Sequence, residues 1–177
     1  MRAHRWSDRV ATDVPSPITC SRNGPPSVAG MSPSSSPRRV LVTGGASGLG
    51  AALAARYAGR GDAVLVTDLA ARADVPAGGR YQRLDVTSEP DWSTALDCVL
   101  DEFGGLDLLV DDAGVAAGGR VDRLDAAHWR RVVDVDVLGA VHGWPTFVPL
   151  FEERGSGHLV SVAGLHEDDV VVPELPA

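Results

Sequence analysis

Short apolar runs alternate with amphipathic stretches along most of this chain. Five runs have the length of strands and lie at 39–43, 63–67, 81–84, 106–110 and 158–162. Three segments between them carry apolar residues at helical spacing, roughly at 48–59, 90–103 and 125–152. Strands that alternate with helices are typical of a parallel sheet covered by helices on both faces. The pattern therefore predicts an α/β fold.

Local signals refine the predicted helices. Ser88 stands where an N-cap is expected and Pro90 falls in the first turn, so the second helix should begin there. Pro145 and Pro149 lie inside the third helical segment, and a proline within a helix costs roughly 3 kcal/mol. These two prolines predict a kink or an early end near Trp144. Any helix in the Ala-, Gly- and Pro-rich link 69–80 should be short.

The first part of the chain differs from the rest in composition. Residues 1–37 are rich in Pro and Ser without sustained periodicity, so they cannot bury enough apolar surface to offset chain entropy. We predict a disordered extension over 1–37, a folded domain over 38–166 and a divergent tail over 167–177. Met31 is a candidate for the true start, a hypothesis that N-terminal sequencing of the native protein tests.

Charge and composition disfavour several classes of function. Residues 1–39 hold six Arg and two Asp for a charge of +4, whereas the remainder carries −12 and is a poor candidate for nucleic-acid binding. No apolar run is long enough to predict a membrane span. Only Cys20 and Cys98 are present, so neither a disulfide framework nor a metal site is indicated, and a cytoplasmic location is expected.

The densest glycine cluster, "TGGASGLG" at 43–50, follows the first predicted strand. Gly44 permits a tight turn, Gly48 lets the backbone approach phosphates, and Gly50 allows the helix to pack close to the strand. The first-turn N–H groups of the helix that follows suit a pyrophosphate. A plain glycine-rich turn is the alternative. The context favours a dinucleotide site made of Thr43, Gly44, Ser47, Gly48, Leu49 and Gly50.

An acidic residue, Asp68, ends the second predicted strand 24 residues after Gly44. At that position a carboxylate can accept hydrogen bonds from the adenosine ribose hydroxyls, and it would repel a 2′-phosphate. The cofactor is therefore predicted to be NAD rather than NADP. A surface acid that caps the strand is the alternative interpretation.

Four further motifs follow in order, namely "LDVT" at 84–87, "LVDDAG" at 109–114, "DVLGAVHG" at 136–143 and "GSGHLVSVAG" at 155–164. Together with the glycine spacing, they resemble the short-chain dehydrogenase/reductase family over about residues 38–165. The resemblance implies a Rossmann-like, doubly wound parallel sheet in the order 3-2-1-4-5, here incomplete with about five strands. It also implies that Asp85 and Val86 contact the adenine ring and that Asp112, Ala113 and Gly114 lie beside the cofactor.

The chain departs from this family in the residues that perform chemistry. Family members use a Tyr as acid/base, a Lys four residues later that lowers the Tyr pKa, and a Ser that holds the substrate oxygen. Here Tyr57 and Tyr81 are the only tyrosines, both lie upstream of the catalytic region, and all sixteen basic residues are Arg. The Tyr-x-x-x-Lys segment is missing. The family's Ser falls on Gly164, or on Ser161 if three residues were deleted.

Aspartates replace three asparagines of the family pattern. Asp136 takes the place of the Asn that anchors a proton-relay water, and Asp111 and Asp112 take the paired Asn positions. An ionised carboxylate accepts hydrogen bonds but cannot donate them as an amide does. If buried, it must find donors or undergo an upward shift of its pKa. Damage to the site is the favoured interpretation, and a new acid/base cluster is the alternative.

Two functions of different class are consistent with these residues. The first is an NAD-linked alcohol or carbonyl oxidoreductase that is catalytically impaired. The second is a dinucleotide-binding protein without turnover, or a decayed fragment. The implied partners are a dinucleotide and, if the chain is active, a small alcohol or ketone. Loss of the Tyr-x-x-x-Lys helix should expose apolar surface, so we expect a marginal monomer or a homo-oligomer.

Overall fold

The computed structural model describes residues 21–22, 36–116 and 121–163. The strands are β1 (Ser21–Arg22), β2 (Arg39–Val42), β3 (Ala63–Asp68), β4 (Arg80–Arg83), β5 (Leu108–Asp111) and β6 (His158–Ser161). The α-helices are α1 (Gly48–Gly59), α2 (Glu89–Phe103), α3 (Ala126–Val132) and α4 (Gly139–Arg154). A 3-10 helix spans Val121–Arg123, and a π-helical segment, Val133–Leu138, joins α3 to α4.

The strands form one sheet in the order β1-β4-β3-β2-β5-β6. Adjacent strands in the part β4-β3-β2-β5-β6 all pair in parallel. Counted from the first strand after Arg38, this is the predicted order 3-2-1-4-5, which is therefore confirmed. Strand β1 pairs antiparallel with β4 and was not predicted. Residues 1–20 and 23–35 of the predicted disordered extension, and the predicted tail 167–177, lie outside the described residues.

Helices cover both faces of the sheet, and the central strands are therefore apolar on both sides. Leu41, Leu65 and Leu109 belong to the cluster that contains Trp92 of α2 and Phe147 of α4. The alternate side chains form the cluster on the α1 face, with Val40, Val42, Val64, Val66, Leu108 and Val110. The strand order reverses between β2 and β5, so the ligand crevice of such a sheet opens at the carboxyl ends of these two strands.

Helix α2 begins and ends where its sequence indicates. The Ser88 side chain accepts the N–H of Asp91 at 3.3 Å, and Pro90 occupies the first turn, as predicted. The helix ends at Gly104, whose φ of +67° is in the left-handed region that glycine adopts readily.

Of the kink or early end predicted near Trp144, the early end is wrong. Helix α4 continues through Pro145 and Pro149 to Arg154. The predicted segment is also divided differently, because the π-helical turn Val133–Leu138 separates α3 from α4. Neither feature follows from helical periodicity alone.

Tertiary packing explains why α4 tolerates its prolines. Phe147 is fully buried, and its ring meets that of Trp92 edge-to-face at a centroid distance of 6.1 Å. Gly143 lies so close to Trp92 that a β-carbon there would be 2.6 Å from the indole. Burial of an aromatic side chain contributes about 1.5–3 kcal/mol, which is comparable to the cost of an interior proline.

A carboxylate also anchors the end of α4 at the amino ends of the central strands, on the opposite side of the sheet from the crevice. Asp107, next to β5, bonds Arg39 of β2 through both carboxylate oxygens at 2.8 Å. The Arg154 guanidinium reaches the same carboxylate at 2.7 Å and the Leu106 carbonyl at 2.8 Å. The hydrogen bonds and charge of Arg39 hold the pKa of Asp107 well below its usual range.

The carboxylate of Asp111, the last residue of β5, is 7% exposed and lies between α4 and β6. Its Oδ2 accepts the indole N–H of Trp144 at 3.0 Å and the hydroxyl of Ser161 at 3.5 Å. Its Oδ1 is buried and has no hydrogen-bond partner among the described residues. Burial raises the pKa of Asp111 to about 6, although both hydrogen bonds act in the opposite direction. Ionisation of Asp111 is therefore less favourable in the folded state than in the unfolded chain.

Gly143→Ala should destabilise the protein by about 1–3 kcal/mol, because the added methyl group overpacks the contact between α4 and Trp92. Gly59→Ala is the matched control, since a β-carbon at this last residue of α1 meets nothing within 4 Å. The control should leave stability unchanged or raise it by up to about 1 kcal/mol. Urea unfolding measures both changes. Equal stability of the two variants would contradict this packing.

Asp111→Asn should remove a pH dependence of stability. The folded-state pKa of about 6 exceeds the ordinary 3.8, so the wild type loses stability as the pH rises from about 4 through about 6. The difference corresponds to about 3 kcal/mol at neutral pH. We expect the variant to be more stable than the wild type at pH 7.5 and similar to it at pH 4. Parallel stability–pH curves from urea unfolding would refute this assignment.

Candidate functional site

The glycine-rich loop lies at the carboxyl end of β2 and leads into α1. Gly44 has a φ of +64°, and a β-carbon there would be 2.8 Å from the Cα of Ala113. Gly48 has a φ of +52° and open space around it. A β-carbon on Gly50 would lie 2.6 Å from the Gly44 carbonyl oxygen. The loop thus combines a left-handed turn at Gly44, open space at Gly48 and a close contact between Gly50 and the Gly44 backbone, while the cofactor-binding role of these glycines stays a prediction.

The hydroxyl of Thr43 joins this loop to the loop after β5. The backbone N–H groups of Asp112 and Ala113 both donate to Thr43 Oγ1 at 3.0 Å. The backbone N–H of Thr43 donates to the carbonyl of Val110, also at 3.0 Å. These bonds fix the two predicted cofactor-binding segments against each other.

The N-terminus of α1 has the features of a helix end that can bind an anion. Ser47 is the N-cap, but its side chain makes no capping hydrogen bond. Gly48 and Leu49 open the helix, and first-turn N–H groups have no partner within a helix. The Leu49 side chain is 53% exposed, so this turn faces solvent. The predicted residues of the loop thus present backbone donors at the crevice.

Asp68 ends β3 next to the glycine-rich loop, at the place that the sequence predicts. Its Oδ2 accepts the backbone N–H of Ala46 at 3.1 Å, and its Oδ1 accepts that of Ala70 at 3.3 Å. Each carboxylate oxygen can accept more than one hydrogen bond. The carboxylate is therefore fixed in position and retains acceptor capacity for a ribose hydroxyl.

A larger open cavity lies beside this carboxylate, between the ends of β3 and β4 and helix α3. Its lining residues include Leu69, Asp85, Thr87, Arg130, Arg131 and Asp134. One oxygen of Asp85 already accepts the N–H and the hydroxyl of Thr87, at 3.0 and 2.7 Å. Val86, predicted beside the adenine ring, is buried and lines a second cavity. The sequence missed Arg130 and Arg131, because α3 reaches this cavity only in the fold.

The second, small cavity brings together the positions predicted for chemistry. It is lined by Thr43, Val86, Trp92, Asp111, Ala113, Val135, Asp136, Ala140, Ser161 and Val162. Asp136 comes from the π-helical segment, and its Oδ1 accepts the backbone N–H of Val115 at 2.8 Å. Gly114 lies next to the same carboxylate. Gly164, the other candidate for the family's serine position, lies outside the described residues.

Neither tyrosine belongs to this cavity. Tyr81 is buried in β4, its hydroxyl donates to the carbonyl of Ala70, and burial raises its pKa. Tyr57 lies on α1 with the guanidinium of Arg38 5.4 Å from its ring centre. The two phenols are thus engaged elsewhere in the fold, in agreement with the sequence interpretation.

Other kinds of site receive no support within the described ranges. No group of three or more His, Cys, Asp or Glu side chains in residues 21–22, 36–116 and 121–163 is arranged to hold a metal ion. None of the helices in these ranges is both long and apolar enough to cross a membrane.

Known proteins match this chain over its folded part. The family model described as short chain dehydrogenase matches residues 38–172. A 3-alpha-(or 20-beta)-hydroxysteroid dehydrogenase of Mycobacterium tuberculosis is 31% identical over 132 residues, which cover 71% of this chain and 51% of that protein. A cis-4-hydroxycyclohexanecarboxylate dehydrogenase of Sinomonas cyclohexanicum is 39% identical over 137 residues, which cover 72% of this chain and 55% of that protein. The chain thus spans about half the length of these relatives.

Solved structures agree with the sequence matches. A short-chain dehydrogenase from Streptomyces avermitilis has 28% identity and a TM-score of 0.64 over 73% of this chain and 50% of that chain. The aldohexose dehydrogenase of Thermoplasma acidophilum is similar in fold, with 22% identity and a TM-score of 0.65 over 75% of this chain and 53% of that chain. Family model, relatives and structures lead to the same conclusion: the chain belongs to the short-chain dehydrogenase family.

Proposed function

We propose that this chain binds a nicotinamide dinucleotide, prefers NAD to NADP, and transfers no hydride by itself. The observation that carries the proposal is the glycine-rich loop, which presents the first turn of α1 beside the fixed carboxylate of Asp68. The family implies a nicotinamide dinucleotide, and the cradle formed by Gly44, Gly48 and Gly50 fits its pyrophosphate.

The preference for NAD is inferred from the position of Asp68. Backbone N–H groups on either side hold the carboxylate at the end of β3, where it cannot readily swing away. A free ribose hydroxyl can donate to it, whereas a 2′-phosphate would bring two negative charges together. Arg130 and Arg131 line the neighbouring cavity together with Asp85 and Asp134, so the formal charges of this lining cancel.

The absence of turnover is inferred from the groups that surround the small cavity. Hydride transfer between an alcohol and NAD also requires a group that accepts the hydroxyl proton. The two phenols are engaged elsewhere, and the 177 residues contain no Lys that could lower a phenol pKa. The nicotinamide therefore meets no tyrosine–lysine pair supplied by this chain.

An active oxidoreductase is the second candidate function. The two curated relatives are named as dehydrogenases of 3-alpha-(or 20-beta)-hydroxysteroid and cis-4-hydroxycyclohexanecarboxylate, which are ring compounds with a secondary hydroxyl group. By analogy, the substrate would be a cyclic secondary alcohol or the matching ketone. A partner chain that supplies the Tyr-x-x-x-Lys helix would provide the missing acid/base group.

Asp68→Ala should weaken NAD binding by about tenfold and narrow the difference between NAD and NADP, because the variant loses a charged hydrogen bond to the ribose. Asp74→Ala is the matched control, since Asp74 is exposed in the link between β3 and β4. Calorimetric titration of both cofactors measures the change. Equal affinity of the wild type for NAD and NADP would remove Asp68 from this role.

The purified chain should bind NAD(H) and produce no NADH from a panel of secondary alcohols, because no tyrosine–lysine pair accompanies the nicotinamide site. Absorbance at the NADH band, measured alongside the calorimetric titration, separates binding from turnover. A full-length homologous dehydrogenase in the same assay is the positive control. Sustained NADH formation that survives removal of contaminating enzymes would overturn the proposal, and Asp136→Asn would then be the first variant to test.

A further inference from the structure

We propose that Asp112 sets the affinity of this site, because its carboxylate lies at the N-terminus of α1 and repels the phosphates of the bound nucleotide. The inference rests on the proposed dinucleotide function and names the residue that limits it. It concerns binding alone and requires no chemical step.

The carboxylate of Asp112 lies directly against the start of α1. A β-carbon on Gly50 would be 2.8 Å from Asp112 Oδ2. The backbone N–H of Gly50 interacts with this carboxylate and favours its ionised form, whereas burial acts in the opposite direction and raises the pKa of Asp112 overall. Gly50 is the third residue of α1, and the Ser47 side chain makes no cap. A carboxylate from the β5 loop thus takes the place of the usual capping side chain.

The backbone holds this carboxylate in place. The N–H groups of Asp112 and Ala113 both donate to Thr43 Oγ1 at 3.0 Å, and Ala113 packs directly against Gly44. The backbone position of Asp112 is therefore fixed, and the hydrogen bond from the Gly50 N–H favours the side-chain rotamer that directs the carboxylate at α1. In addition, Asp112 forms no ion pair within residues 36–116 and 121–163. Its negative charge is therefore not neutralised by a neighbouring cation.

The N-terminus of α1 stabilises one bound anion better than two. The N-terminus of an α-helix carries about half a positive charge, concentrated in its first turn. The Asp112 carboxylate interacts with the Gly50 N–H and so offsets part of this positive charge. The N–H groups of Gly48 and Leu49 in the same turn remain as donors for a phosphate. Two negative groups within one helical turn repel each other more strongly in this half-buried setting than in bulk water. Removal of the charge should consequently strengthen phosphate binding.

The test compares ligands that differ in phosphate charge. Wild type and Asp112→Asn are titrated by calorimetry with adenosine, ADP and NAD at pH 7.5 and low salt. We expect the variant to bind ADP and NAD about tenfold more tightly and adenosine within about twofold of the wild type. The gain should shrink in high salt, which screens charge. Asp97→Asn, an exposed position on α2, removes the same charge elsewhere and should change none of the three affinities.

Each outcome separates the inference from the proposed function. If ADP and NAD bind equally well to wild type and variant, or more weakly to the variant, the inference is overturned and the dinucleotide site stands. An equal gain for adenosine would also overturn it, because the effect would not involve phosphate charge. If no protein binds ADP or NAD, the proposed function fails together with the inference. Asp112→Ser, a second neutral variant, must give the same direction, which guards against misfolding of Asp112→Asn.

Discussion

The candidate site depends on the hydrogen bonds that the Thr43 hydroxyl makes with the loop after β5. It accepts two backbone N–H groups from the loop after β5, and Gly44 beside it leaves no room for a side chain against Ala113. The two loops at the switch point of the sheet therefore behave as one unit. This contact fixes the turn into α1 and the direction of Asp112 together. The proposed phosphate-binding turn and the neighbouring charge of Asp112 are therefore positioned by the same contact.

Three aspartates near this contact illustrate how surroundings decide what a carboxylate does. Asp111 is buried with one oxygen unpaired, and its pKa rises to about 6. Asp112 lies at a helix N-terminus, where a backbone N–H partly counters the effect of burial on its pKa. Asp136 accepts the N–H of Val115. A carboxylate therefore lowers stability at neutral pH at the first position, whereas at the second it places a negative charge beside the proposed phosphate site.

The sequence predicted the five strands, the glycine-rich loop and the position of Asp68, because these depend on local apolar runs and backbone conformation. The order of the strands was predicted from the resemblance to the family. The sequence did not predict the features that depend on contacts between residues far apart in the chain. Helix α4 passes Pro145 because Trp92 and Phe147 hold it, and no local signal encodes that packing. The π-helical turn, which periodicity does not predict, contributes Val135 and Asp136 to the small cavity, next to Ala140 of α4. Likewise, Arg131 reaches the larger cavity only because the fold brings α3 next to it.

The two outer edges of the sheet are unequal. Strand β1 pairs with Arg80 and Tyr81 of β4, so it blocks part of the edge at that side. At the other side, β6 is largely exposed, and its outer backbone groups pair with no strand among the described residues. An unpaired edge is a template for a further strand, but growth into a fibre requires two such templates on each molecule. If the open edges of two copies met, they would satisfy each other, and the assembly would close as a pair.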